Sequence, residues 1–274
     1  PAALAEAHFL LGRAAFDQGD FQSSISHMSE AKTLDPQKYG EQVNVLTVLS
    51  YHKLQDVNKL KEALETLQKE NPAAVSRVPD VIPAWLGLQA YGMKDLETAD
   101  KYMTWATQND QLQNVKKVIW RNLAKVRLAL KKYDRALVAS NNFLKVEDQP
   151  YRRADGMLDK ASILLGLGKY ADARKTAEEA LALGVEGPLM ASLKIVLGDI
   201  SYAEKKFDEA AKHYGVTAEL FVNDAELKPK ALFKAAEALD KAGRKSEASQ
   251  YRARLQKEFP DWKQEGESLP PDAR

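Results

Sequence analysis

Cysteine is absent from this 274-residue chain. Disulfides, thiolate metal sites and cysteine nucleophiles are therefore excluded, while the compartment stays open, because a cysteine-free chain suits an oxidising or a reducing one equally. A surplus of charge is missing too. Forty Lys and Arg against 39 Asp and Glu leave a formal net charge of +1. Nothing in that balance draws the chain toward phosphate backbones or anionic lipid, and no nucleic-acid partner is expected. No apolar run approaches the roughly 20 residues that cross a bilayer as a helix. Alternation of period two is nearly lacking, so no sheet is expected. Finally, the chain opens at Pro1 rather than Met. A fragment or a processed form would do so, with any targeting segment lying upstream of view.

What the sequence does contain is a repeat. A small residue, usually Ala, stands three positions after an aromatic or apolar residue that follows a short turn. Phe21 leads to Ser24, Leu96 to Ala99, Tyr133 to Ala136, Tyr170 to Ala173 and Phe207 to Ala210. Two weaker copies place Leu60 and Ala248 in the same slot, behind Val57 and Lys245. Successive slots lie 36, 39, 37, 37, 37 and 38 residues apart. Between them apolar residues recur at three- and four-residue steps, so each copy reads as two amphipathic helices. In the sixth copy the first helix runs from about Leu189 to Ala203 and the second starts near Phe207. The turns inside the pairs are short and hold Gly or Lys: Gln18-Gly19-Asp20, Lys131-Lys132, Gly168-Lys169, Lys205-Lys206 and Gly243-Arg244. Gly just past a helix end suits a left-handed cap. The small residue lets two antiparallel helices approach, since a large side chain at the crossing would hold them apart. No single pair buries both of its apolar faces, so each must stack on the next.

Signals for chemistry are weak by comparison. His8, His27, His52 and His213 include no pair four residues apart, and no acidic cluster brackets them, so no metal site is expected. Each histidine reads as a surface or groove residue. Gly166-Leu167-Gly168-Lys169 fails as a phosphate loop. Ile163 stands where that loop needs Gly, and Tyr170 where it needs Ser or Thr. It reads instead as the turn of the fifth pair. Ser23-Ser24 and Ser246-Glu247 have no accompanying histidine and acid to make a nucleophile. Trp85, Trp105 and Trp120 gather in the middle third and read as fillers of core and inter-repeat space, with Trp85 alone in phase for an open face. No catalytic residue and no cofactor are assigned.

The pattern resembles the tetratricopeptide repeat, written W-x2-L-G-x2-Y, then A-x3-F, then Pro. Leu11-Gly12, Ser24, Met28, Ala31 and Pro36 carry it in the first copy. Leu86-Gly87, Ala99, Met103 and Ala106 carry it in the third, and Trp120, Leu123-Ala124, Tyr133 and Ala136 in the fourth. The sixth supplies Leu197-Gly198, Phe207, Ala210 and Tyr214, and the last closes on Glu258-Phe259-Pro260. The resemblance covers residues 4–260 or so. Two departures stand out: a period of 36 to 39 instead of 34, and a second copy with Val48 and Leu60 at positions kept for small residues.

The resemblance implies an all-α, right-handed superhelical solenoid of about seven helix-turn-helix repeats. The long connector from Asn71-Pro72 to Pro79-Asp80 suggests a seam. Residues 1–72 would hold repeats 1 and 2, residues 73–260 repeats 3 to 7, and residues 261–274 a loosely held polar tail. It further implies a concave face, lined by the first helix of each pair, that holds a protein or peptide partner. By phase that face takes Phe9, Arg13 and Phe16 from copy one, and Trp85, Leu88 and Tyr91 from copy three. Copy four gives Arg121, Asn122 and Lys125, copy five Asp155, Asp159 and Ser162, and copy six Ile195, Asp199 and Tyr202. Two readings of the middle set stand. Arg121 and Lys125, with Asn122 beside them, could receive a carboxylate near the aromatic wall of Trp85 and Tyr91; or Asp155 and Asp159 could simply pair with the two cations.

The function expected is that of a non-catalytic interaction scaffold. The longer repeats and the closing run from Tyr251 to Pro260 resemble bacterial cell-envelope members of the family, which leans the setting toward an extracytoplasmic or periplasmic assembly. A regulatory or substrate-docking module of a larger enzyme or signalling protein is the alternative. Self-association through end-helix surface into a homo-oligomer is a third.

Overall fold

The computed structural model describes residues 2–108, 113–220 and 224–263. Among them all regular structure is helical. Seven consecutive pairs follow the seven copies: α1 (Ala2–Asp17) with α2 (Phe21–Leu34), α3 (Pro36–Lys53) with α4 (Val57–Glu70), and α5 (Val81–Gly92) with α6 (Leu96–Ala106). Then come α7 (Gln113–Ala129) with α8 (Tyr133–Val146), α9 (Pro150–Gly166) with α10 (Tyr170–Ala182), α11 (Gly187–Ala203) with α12 (Phe207–Leu220), and α13 (Leu227–Lys241) with α14 (Lys245–Glu258).

Each pair turns in the same way. Gly19, Gln55, Lys94, Lys131, Gly168, Lys205 and Gly243 all have φ between 56° and 83°. Each stands five residues before its copy's small-residue slot, so the turn repeats with the period of the slots. Four of the seven are not glycine, although a side chain in the left-handed region costs on the order of 1 kcal/mol. The reversal imposes this backbone whichever residue is present.

The small residues do what the spacing demands. A Cβ on Gly12 would stand 3.1 Å from Met28, one on Gly87 would stand 2.7 Å from Met103, and one on Gly198 would stand 2.4 Å from the Tyr214 ring. In each case the first-helix glycine admits a large residue four positions past the second-helix slot. Where the first helix has Ala161, the facing position holds Ala177 instead. The second copy keeps its large residues inside: Val48, Leu60 and Leu64 are all fully buried. The connector after α4 forms a 3-10 turn, Pro72–Arg77, that buries Ala74. Ala74 and Val78 join a core cluster running from Val48 through Leu67 and Ile82 to Tyr102. Residues 72 and 73, where the sequence suggests a seam, lie within the stretch this cluster spans. By packing, the chain divides into two compact units, Pro1–Val126 and Arg127–Arg274.

Within the first unit α1 to α6 pack in chain order, and within the second α8 to α14 do the same. In the second unit α9 also touches α11, and α11 touches α13, so first helices of successive pairs lie side by side. Of the expected tail, residues 264–274 lie outside the described residues. Trp262 packs on Phe233 of α13, with ring centroids 5.6 Å apart.

Candidate functional site

The first helices α9, α11 and α13 lie side by side and form one face of the second unit. Gly198 sets its geometry. With no side chain there, the Tyr214 ring of α12 lies against α11, and its hydroxyl donates to the carboxylate of the next residue, Asp199, at 2.6 Å. Lys234 of α13 reaches the same Asp199 oxygen at 2.8 Å and stands 5.7 Å from the centroid of the Tyr214 ring. Burial, and then the negative Asp199, push the Tyr214 phenol far above its ordinary value. It therefore stays a donor rather than an acid. Tyr202 packs edge-on to Phe207 at 5.2 Å and stays half-buried. Leu165, Asp199, Tyr202, Tyr214, Lys234 and Glu237 together line a cleft of about 360 Å³. One leucine, two tyrosine rings and fixed charges of both signs line it, a composition suited to gripping a side chain and orienting its backbone.

Asp199 and Tyr202, expected from phase, are brought together here. Ile195 is not part of the opening, because it is buried with Ala210 and Tyr214. The other expected residues meet different surroundings. Phe9 is 9% exposed and stacks on Tyr39 at 4.8 Å, which places it in the core of the first pairs, while Arg13 is exposed. Trp85 is half-buried against the cluster around Leu60 and meets His52 edge-on at 5.5 Å. Burial, with Lys53 nearby, lowers the His52 imidazole below its ordinary 6.5. Tyr91 and Leu88 are half-buried on α5. Trp105 stacks on Tyr102 at 6.0 Å, as a filler would.

Arg121, Asn122 and Lys125 are half-buried on α7. The Asn122 amide donates to the Val118 carbonyl of its own helix at 3.0 Å, so that donor is already engaged. Arg121, Lys125, Asp155 and Asp159 each have an interaction of their own. The basic pair belongs to the first unit and the acidic pair to the second.

Tyr214, Lys234, Glu237 and Leu165 complete the cleft without having been singled out as groove residues. Phase gave the signal for Lys234 and Glu237, since both lie on the first helix of copy seven. Tyr214 was visible only as the large residue of its repeat. A second surprise is His8, whose Nδ1 stands 3.1 Å from that of His27 across the α1–α2 pair. Among the described residues no three His, Cys, Asp or Glu gather as a metal site, and no helix is long and apolar enough to cross a membrane.

Profiles described as tetratricopeptide repeat match residues 5–38, 158–221 and 230–261. Comparison with curated protein sequences finds no match. Among solved structures, the apo form of RapI is similar with a TM-score of 0.57 at 15% identity, covering 95% of this chain and 78% of that one. A Rap protein complexed with Competence and Sporulation Factor gives 0.55 at 13% identity, covering 92% and 76%. MamA protein gives 0.52 at 16% identity, covering 70% and 98%. At these identities the likeness is one of fold. Three separate stretches, from near the start to near residue 260, thus match tetratricopeptide-repeat profiles, and the chain carries tetratricopeptide repeats.

Proposed function

We propose that this chain is a non-catalytic interaction scaffold, and that it holds a segment of a protein or peptide partner on the face made by α9, α11 and α13. The observation that carries this reading is the cleft around Asp199, Tyr202 and Lys234. The Tyr214–Asp199–Lys234 linkage fixes its charges in place before any partner arrives, which lowers the entropy cost of binding. Tyr202 offers the kind of aromatic edge that dominates binding energy in peptide grooves. The Rap protein crystallised with Competence and Sporulation Factor supports the reading, as a protein of this fold with a bound partner. The cleft offers Leu165 and tyrosine rings to cover, and a charge pair to set direction.

Affinity capture from the native source, with the bound proteins identified, tests it. Wild type should retain a partner that Tyr202→Ala and Glu237→Lys lose, while the helical circular dichroism of both variants stays unchanged. Equal capture by wild type and both variants would remove this face from the account. Arg121→Glu with Lys125→Glu applies the same assay to the basic pair on α7.

A further inference from the structure

After α14 the chain turns back. The Trp262 amide donates to the Phe259 carbonyl at 3.1 Å, and the indole comes to rest on Phe233 of α13. Phe233 lies one residue before Lys234, so the returning segment builds a second opening next to the cleft, with Lys234 common to both. This pocket has a volume of about 540 Å³. Its apolar surface comes from Ala225, Leu227 and the half-buried rings of Phe233 and Trp262, and its rim holds Lys230 and Lys263, both exposed.

Charge decides what would fit. The Lys234 ammonium is already answered by Asp199 at 2.8 Å. Neither Lys230 nor Lys263 has an ion-pair partner among the described residues. Glu226 is the acid in the lining, and it opposes them. Among the described lining residues, two lysines against one glutamate leave an excess of a single positive charge. That is enough to attract one carboxylate, and too little to follow the repeated phosphates of a nucleic acid, whose binding grows with the number of charges neutralised. A pair of half-buried rings beside it favours an apolar or aromatic neighbour for that carboxylate.

We propose that this pocket is a subsite for one acidic group carried beside an apolar side chain. The carboxylate would sit between Lys230 and Lys263 and the apolar residue on Phe233 and Trp262. The proposal rests on the groove reading above and deepens it, because it assigns the partner a chemical class: a peptide with an acidic residue next to a large apolar one, or one ending in a free carboxylate on such a residue.

The test uses the full chain and four fluorescein-labelled Gly-Ser decapeptides, read by anisotropy. One carries an internal Phe-Glu, one an internal Phe-Gln, one ends in Phe with a free carboxylate, and one ends in Phe amide. A charge-assisted contact should give the acidic member of at least one pair about tenfold tighter binding than its neutral counterpart. Whichever pair shows the preference identifies the source of the carboxylate. Lys230→Glu and Lys263→Glu should each erase the preference, and Trp262→Ala should weaken both members of the pair together. Equal binding of acidic and neutral peptides, or a preference that survives both charge reversals, would overturn the proposal. So would tighter binding of a labelled oligo-dT decamer than of every peptide. The two readings separate in the capture assay. A native partner lost on Tyr202→Ala but kept by Lys230→Glu, Lys263→Glu and Trp262→Ala leaves the groove standing and removes this subsite.

Discussion

In the first unit the second helix of each complete pair starts behind an aspartate. Asp20, Asp56 and Asp95 accept hydrogen bonds from the amides of Ser23, Lys59 and Thr98 at 3.0, 3.0 and 3.2 Å. In the second unit the same position holds Lys132, Lys169, Lys206 and Arg244, and Lys132, Lys169 and Arg244 make no side-chain cap. A cation there has no acceptor to offer the orphan amides, and it faces the positive end of the helix dipole. The second unit compensates within the first turn itself. Acids stand in the first turn of α8 (Asp134), α10 (Asp172), α12 (Asp208 and Glu209) and α14 (Glu247). Arg244 is drawn into this arrangement and bridges Asp208 of the preceding pair at 2.9 Å and Glu247 at 2.6 Å. One repeat therefore admits two ways of answering a helix start. The first is a directed hydrogen bond inside the turn; the second is charge spread over a turn and, at Arg244, across to the neighbouring pair.

The strongest way to break this comparison is to strike what the units share. Gly87→Ala would set a methyl 2.7 Å from the Met103 side chain and 2.9 Å from its backbone nitrogen, and Gly198→Ala one 2.4 Å from Tyr214. Each should cost about 2–3 kcal/mol, in the range of overpacked cores, read as a lower urea midpoint. A similar loss in both units would show that close approach is needed equally in each. Next come the caps. Asp56→Ala and Asp95→Ala should each cost about 1 kcal/mol, and Asp20→Ala should move the midpoint in the same direction. Lys169→Ala, at the matching position of the second unit, should leave it nearly unmoved. Equal losses in both units would dissolve the distinction.

A gain should come from exchanging the two solutions. Lys169→Asp gives α10 an acceptor and should stabilise by about 0.5 kcal/mol, seen as a higher melting temperature. The smallest effect concerns protons. Burial is the first cause holding the His213 and His52 imidazoles below their ordinary 6.5. The unfolded chain thus takes up these protons at higher pH than the folded one. Their contribution to stability is complete above about 6.5 and is lost as pH falls from there toward the lowered folded values. Thermal midpoints from pH 7.5 to 5.5 should decline slightly in wild type and stay flatter in His52→Gln with His213→Gln. Loss from Asp95 and Glu70, whose hydrogen bonds hold their carboxyls low, belongs to a separate window beginning near their ordinary 3.8 and 4.5 and extending downward.

Much of this architecture was legible because it is written in local terms. The slot residues fixed seven pairs, and Lys131-Lys132 and Lys205-Lys206 read as turns even without glycine. Val48 and Leu60 weakened the second copy's signal yet did not unmake its helices, since burial of large apolar residues still rewards the pairing. The candidate site was legible only in part. Asp199 and Tyr202 followed from phase along α11, but their partners Tyr214 and Lys234 arrive from two other helices, and spacing along the chain holds no record of that meeting. Phe9 shows the converse. Its phase pointed to the open face, and the following pair supplied Tyr39 to cover it. The return of Trp262 onto Phe233 depends on a reversal after α14 that a polar, proline-containing stretch does not announce.

The seven identical reversals carry a consequence for how such a chain can change length. From the first-helix small position to the second-helix slot the count is twelve residues in every copy. One residue inserted there would swing the second helix by about 100° and turn its apolar stripe away from its mate. Drift in repeat size is thereby pushed outside this segment, and the 39-residue step coincides with the Asn71–Asp80 connector. Insertions that leave the hairpins intact belong in such joints, which makes them the places where loops or tags can be grafted without unseating the cleft around Asp199.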